Sequence, residues 1–168
     1  MANNYLEFSE LIDDLTEEEA EWVRNIPDRI DFEDNEKYKN EEEWQKAFSE
    51  ALKQHGIDGD ELIAEGLIYS FPQFAWETNN ERKTWWVSTH NEEYGDPFHV
   101  AIAVQGFIRK FRPDYVFKLT WCEYCSKPRI GEFGGGWCVV NKDEYLFGNT
   151  WQDADEHAEA LKTGDSKL

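Results

Sequence analysis

The sequence predicts an α+β fold in which an acidic helical portion, residues 1–68, precedes an antiparallel sheet of about five strands with a helix packed across it, in the order ββαβββ. Three observations carry this. Apolar residues recur at helical spacing in the first part of the chain, the texture changes to aromatic and β-branched residues after Ile68, and strands and helices do not alternate in the βαβ manner of a doubly wound nucleotide-binding fold.

Taken in chain order, Thr16-Glu17-Glu18-Glu19 has the form of a capping box, with acidic side chains where a helix N-terminus favours them. Trp22, Val23 and Ile26 follow at helical spacing and predict a helix over 16–25. Residues 27–40 are polar and read as a loop. From Asn40 to Gln54 the residues Trp44, Ala47, Phe48, Ala51 and Leu52 keep the helical rhythm, and His55-Gly56 closes it as a C-cap does. A short helix over 60–67 is expected, with Asp60 as its cap and Leu62, Ile63 and Leu67 facing inward.

In the sheet portion, residues 69–150, the runs Phe71–Glu77 and Thr84–Thr89 read as a hairpin joined through Asn79-Asn80-Glu81-Arg82. Asp96-Pro97 supplies an N-cap and a first-turn proline, and the stripe from Val100 to Phe111 predicts a long helix ending before Pro113. Tyr115, Phe117, Leu119 and Trp121 alternate along a third strand. Trp137–Val140 gives a fourth, and Asn141-Lys142-Asp143 turns into a fifth over Glu144–Phe147. The remainder, residues 151–168, reads as a final helix from Trp151 to Lys162 and a tail. One domain of 168 residues is the expected organisation, large enough to bury a core without disulfides or metal.

Composition narrows the function classes. Aromatic residues make up 15% of the chain, too many for a disordered acidic protein, and the formal net charge is -19. Residues 1–65 hold 21 Asp and Glu against 6 Lys and Arg, so most of that charge belongs to the helical portion. Such a surface repels free nucleic acid and attracts a basic protein surface, as a mimic of nucleic acid does. MANNYLEFSE lacks the pattern of a signal peptide, no apolar run is long enough to span a membrane, and three cysteines fit a reducing compartment. The expectation is a cytoplasmic protein with no membrane partner, no direct nucleic-acid partner and no cofactor.

Few motifs carry chemistry. The run Cys125-Ser126-Lys127-Pro128-Arg129-Ile130-Gly131-Glu132-Phe133-Gly134-Gly135-Gly136 combines three successive glycines with two cations. Lys127, Arg129, Gly134, Gly135 and Gly136 are therefore candidates for an anion-binding nest that grips a phosphate or carboxylate. The run is neither a Walker loop nor a dinucleotide fingerprint, and it leads into a strand, so glycines that shape a strand connection are the competing reading. Cys122-Glu123-Tyr124-Cys125 has CxxC spacing, with Cys138 and His90 or His99 as conceivable further metal ligands. Residues three apart on a strand point to opposite faces, however, and no metal is expected. His90, Glu92, Glu93 and Asp96 are an acid–base candidate that reads equally as a solvated loop entering a helix cap, and no catalytic residue is assigned. Arg109, Lys110, Arg112, Lys118, Lys127 and Arg129 form a basic concentration suited to matching the acidic helices.

Four runs, Glu92-Glu93-Tyr94-Gly95-Asp96, Val104-Gln105-Gly106-Phe107, Phe111-Arg112-Pro113 and Cys125 to Gly136, resemble an uncharacterised family of small proteins of phages, plasmids and integrative elements. The resemblance covers residues 85–140 and implies no activity. It implies a setting, the accessory genes of mobile elements, where inhibitors of host defence are common. Together with the charge, it leads to the expectation of a non-enzymatic inhibitor, for instance an anti-CRISPR or anti-restriction protein. Its acidic helices, through Glu17, Glu18, Glu21, Glu41, Glu42 and Glu43, would occupy a basic groove on a nucleic-acid-handling partner. A small-molecule or phosphate-binding module or enzyme centred on the glycine-rich run is the alternative.

Overall fold

The computed structural model describes residues 4–32, 38, 40–89, 95–127 and 132–163. Among these, a six-stranded antiparallel sheet, β1 (Asn4–Ile12), β2 (Ala75–Asn79), β3 (Thr84–Ser88), β4 (Phe117–Cys125), β5 (Gly134–Val140) and β6 (Tyr145–Asn149), is accompanied by five α-helices. These are α1 (Glu17–Arg24), α2 (Glu41–His55), α3 (Gly59–Ala64), α4 (Pro97–Phe111) and α5 (Thr150–Thr163), with a short 3-10 helix at Arg29–Phe32. The strands lie in the order β2-β3-β1-β4-β5-β6, all neighbours antiparallel.

The α+β class is as expected, and the sheet holds one strand more than the five expected. The addition is β1, at the start of the portion read as helical. It is the strand that joins the two halves of the sheet, pairing Ser9 to Ile12 with β3 on one side and Asn4 to Phe8 with β4 on the other. Its alternate residues Phe8 and Ile12 are buried, while Leu11 points outward and is 51% exposed. Boundaries also move: β5 begins at Gly134 rather than Trp137, β4 runs on to Cys125, and the expected loop 27–40 holds the 3-10 helix. The cap of α3 is Asp58, whose carboxylate accepts the Glu61 N–H at 3.0 Å, because Asp60 points instead to Ser49 and Lys53. Strand β2 begins at Ala75, so Phe71 and Phe74 enter the core from irregular chain ahead of it.

Layering follows from burial. Helix α4 is buried from His99 to Ile108, as a helix enclosed on every side must be. One side packs on β4 and β5. The opposite side meets the corner between α2 and α3, where Gly106 faces the carbonyl of Gly56 so closely that a Cβ there would stand 2.7 Å from its oxygen. Helix α1 lies beside α4 on the same face of the sheet, with Trp22 against Trp85, Phe107 and Phe111. One core therefore takes Phe8 and Ile12 from β1, Phe48 and Leu52 from α2, Phe107 from α4 and Phe117 and Val140 from the sheet. The α2–α3 layer is outermost on that side, and α5 packs against β5 and β6.

Candidate functional site

The acidic surface is built by helix caps. In α1 the Thr16 hydroxyl accepts the Glu19 N–H at 3.2 Å and Glu19 returns a bond to the Thr16 N–H at 2.7 Å. In α2 the Asn40 side chain accepts the Glu43 N–H at 2.9 Å. Both caps leave unpaired backbone N–H groups pointing out of the first turn, where carboxylates are favoured. Glu17, Glu18, Glu41, Glu42 and Glu43 are all exposed there, and Glu21 is exposed in the following turn of α1. Glu17 pairs with Arg24 at 2.7 Å in the open, an arrangement that contributes little, and Glu41 hydrogen-bonds with Tyr69, which with burial pushes that phenol up.

These six carboxylates form two patches. The Trp22 indole donates to the His55 carbonyl at 2.8 Å and stacks on the His55 ring at 4.3 Å between centroids, which fixes the C-terminal part of α1 at the last residue of α2. Glu41, Glu42 and Glu43 occupy the first turn of α2, about 20 Å away along its axis. Among the expected basic partners of these helices, Arg112 does meet α1, at the buried Glu19. Arg109 instead donates to the Lys142 carbonyl at 2.7 Å, and Lys110 sits over the Phe111 ring at 4.9 Å.

The three glycines of the glycine-rich run are extended strand rather than a nest. Gly134, Gly135 and Gly136 lie in β5, and the positive-φ glycines among the described residues are Gly56 and Gly66. Aromatic rings stand where two of their side chains would be: a Cβ on Gly136 would land in the Trp121 indole, and one on Gly134 would stand 2.8 Å from Trp151 Nε1, while one on Gly135 would meet the Trp121 backbone oxygen. Across the strand, Trp137 covers Gly148 in the same way and donates to Asp153 of α5 at 2.9 Å. Gly136, Gly148 and Gly134 therefore seat three tryptophans, Trp121 on β4, Trp137 on β5 and Trp151 on α5. Lys127 is exposed beyond the end of β4, and Arg129 lies outside the described residues.

The cysteines divide as strand geometry requires. Cys122 is exposed and Cys125 buried on the opposite face of β4; Cys138 is buried in β5, and its thiol is pushed up to about 12 by that burial. No group of three or more His, Cys, Asp or Glu placed to hold a metal occurs among the described residues. His90, Glu92 and Glu93 lie outside the described residues. Asp96 caps α4 by accepting the Phe98 N–H at 2.8 Å, and the buried His99 accepts the Gln73 N–H on Nδ1 at 3.0 Å. Both therefore serve the start of α4.

A surface that sequence reasoning did not single out lies on the other face of the sheet. Helices α1 to α4 pack on one face, and on the opposite face β1 presents Tyr5, Glu7, Ser9 and Leu11 while β3 presents Trp86. The Trp86 side chain is fixed, since its indole N–H donates to the Ser9 hydroxyl at 2.8 Å and its cross-strand neighbours are Leu11 and Glu77, yet the residue remains 40% exposed. Two hollows flank it. One runs toward Leu11, Asp13, Glu77 and Arg82, the other toward Glu7, Ser88, Thr120 and Cys122. Beside the second, Tyr5 stacks on Tyr124, whose hydroxyl donates to Glu7. The available sequence signal was the alternation of β1, hidden by Glu10 on its core-facing side and Leu11 on its outer side.

No protein-family model matches the chain, and no curated protein or solved structure matches it either.

Proposed function

We propose that this chain is a non-enzymatic acidic binding protein that occupies the basic, nucleic-acid-binding surface of a host protein or complex. In the setting its resemblance implies, it acts as an inhibitor of defence carried by a mobile element, against a CRISPR or restriction complex. The observation that carries this reading is the placement of Glu17, Glu18, Glu21, Glu41, Glu42 and Glu43: all six are exposed on capped helices docked to one core. A chain of net charge -19 bears self-repulsion, and a rigid display of carboxylates turns that repulsion into attraction when a cationic groove approaches. The two patches sit on separate helices, an arrangement that suits an extended groove better than a point-like cation site.

The test is capture of proteins from nuclease-treated host lysate on the immobilised chain and on a variant with all six glutamates changed to glutamine. The reading expects a basic nucleic-acid-handling protein on the wild type, released by salt and absent from the variant, with circular dichroism verifying that the variant is folded. A folded variant that captures the same protein equally well would remove the basis of the proposal.

A further inference from the structure

We infer that the open sheet face centred on Trp86 grips an arginine-rich, extended segment of the partner, an inference that rests on the acidic-binder reading above. Exposed carboxylates steer a cationic partner and raise its rate of encounter, but each contributes little once water and salt screen it. Long-lived binding needs a rigid side chain with apolar area that the partner can cover, most often Trp, Tyr or Arg. Trp86 is such a group, pinned by Ser9 and flanked by Leu11, with a hollow on either side.

Charge identifies the occupant. Among the described residues, the two hollows are lined by the acidic residues Glu7, Asp13 and Glu77, against the cation Arg82. A second copy of this chain, with its net charge of -19, is repelled from such a face, and so is nucleic acid. An arginine fits it. The planar guanidinium stacks on an indole and keeps its N–H groups free to bond carboxylates at the ring edge, and Glu77 stands directly across the strand pair from Trp86. Lysine offers a compact, strongly hydrated charge without that planar stack, so the face discriminates between the two cations.

The probes are nona-arginine and nona-lysine, titrated calorimetrically into wild type, Trp86→Ala, Glu77→Gln and the six-site helix variant across a range of salt. Side-chain resonances of the tryptophan N–H groups are followed in parallel by NMR, which keeps the test valid even where a variant is destabilised. The inference expects tighter binding of nona-arginine than of nona-lysine and displacement of the Trp86 N–H resonance. It also expects a loss of about five- to tenfold in nona-arginine affinity in Trp86→Ala with the salt slope unchanged. The six-site variant should flatten the salt slope and retain the preference for arginine. Equal affinity of folded Trp86→Ala and wild type, or perturbations confined to α1, α2 and α3, would overturn the inference while leaving the acidic-binder reading intact. A Trp86 resonance that moves on dilution of the protein alone would overturn it in favour of self-association. Absence of binding to either peptide at low salt would sink both.

Discussion

Arg112 ties three parts of the chain together through one guanidinium. It bonds Glu19 at 2.7 and 3.1 Å and donates to the carbonyls of Asp13 and Asp14 at 2.9 Å each, holding the turn between β1 and α1 against the end of α4. Arg112→Ala leaves a buried carboxylate and two carbonyls without this partner, and is expected to destabilise by about 2–4 kcal/mol in urea titrations. Lysine should not restore the loss, because it cannot span four acceptors in one plane. Burial works to raise the Glu19 carboxyl, but Arg112 and Thr16 outweigh it and hold the group below its ordinary value. Its contribution is thus present above about pH 4.5 and lost as pH falls through the folded value. His99 and His55 are shifted down mainly by burial, against the pull of Asp96 and the Leu67 backbone on the former and the Trp22 carbonyl on the latter. They take up protons on unfolding, so urea midpoints should be level well above about pH 6.5 and fall as pH drops through that value; a rise there would contradict the neutral, buried assignment. The Thr16–Glu19 capping box was legible in the sequence because it is local. Its bond to Arg112 was not, since 93 residues separate them and no short-range rule links them.

At the scale of elements, α1, α2, α4 and the β5–β6 turn were readable because caps and periodicity act over a few residues. In that turn Asn141 accepts the N–H groups of Asp143 and Glu144, as its turn chemistry dictates. Strand β1 was not readable, because a central strand is specified by its neighbours on both sides and its own pattern is broken at Glu10 and Leu11. Its weight in the fold predicts that Phe8→Ala costs about 3–4 kcal/mol, read from the shift in urea midpoint at unchanged slope; a cost below about 1 kcal/mol would show β1 to be dispensable. Helix α4 supplies a prediction of opposite sign to intrinsic propensity. Gly→Ala inside a helix ordinarily stabilises by about 1 kcal/mol. At Gly106 the added Cβ would stand 2.7 Å from the Gly56 oxygen and 3.2 Å from its carbon, backbone atoms that cannot rotate away. Gly106→Ala is therefore expected to destabilise by about 1–3 kcal/mol, and a raised melting temperature would refute the close packing of α4 on the α2–α3 corner.

The whole molecule has two unlike sides, an acidic helical layer and an open sheet face with a fixed tryptophan, joined through the buried helix α4. The acidic side was legible from charge distribution alone, whereas the open face became visible only when β1 brought β3 and β4 into one sheet. Charge at this scale makes the central claim directly measurable. The dissociation constant of the wild type and of the six-site Glu→Gln variant for a captured, purified basic partner should be determined from about 50 to about 500 mM salt. Wild-type binding should weaken more than about tenfold across this range, and the folded variant should bind at least about tenfold more weakly at the low-salt end with a shallower dependence. Affinities that stay flat with salt and equal in the two proteins would contradict the central claim.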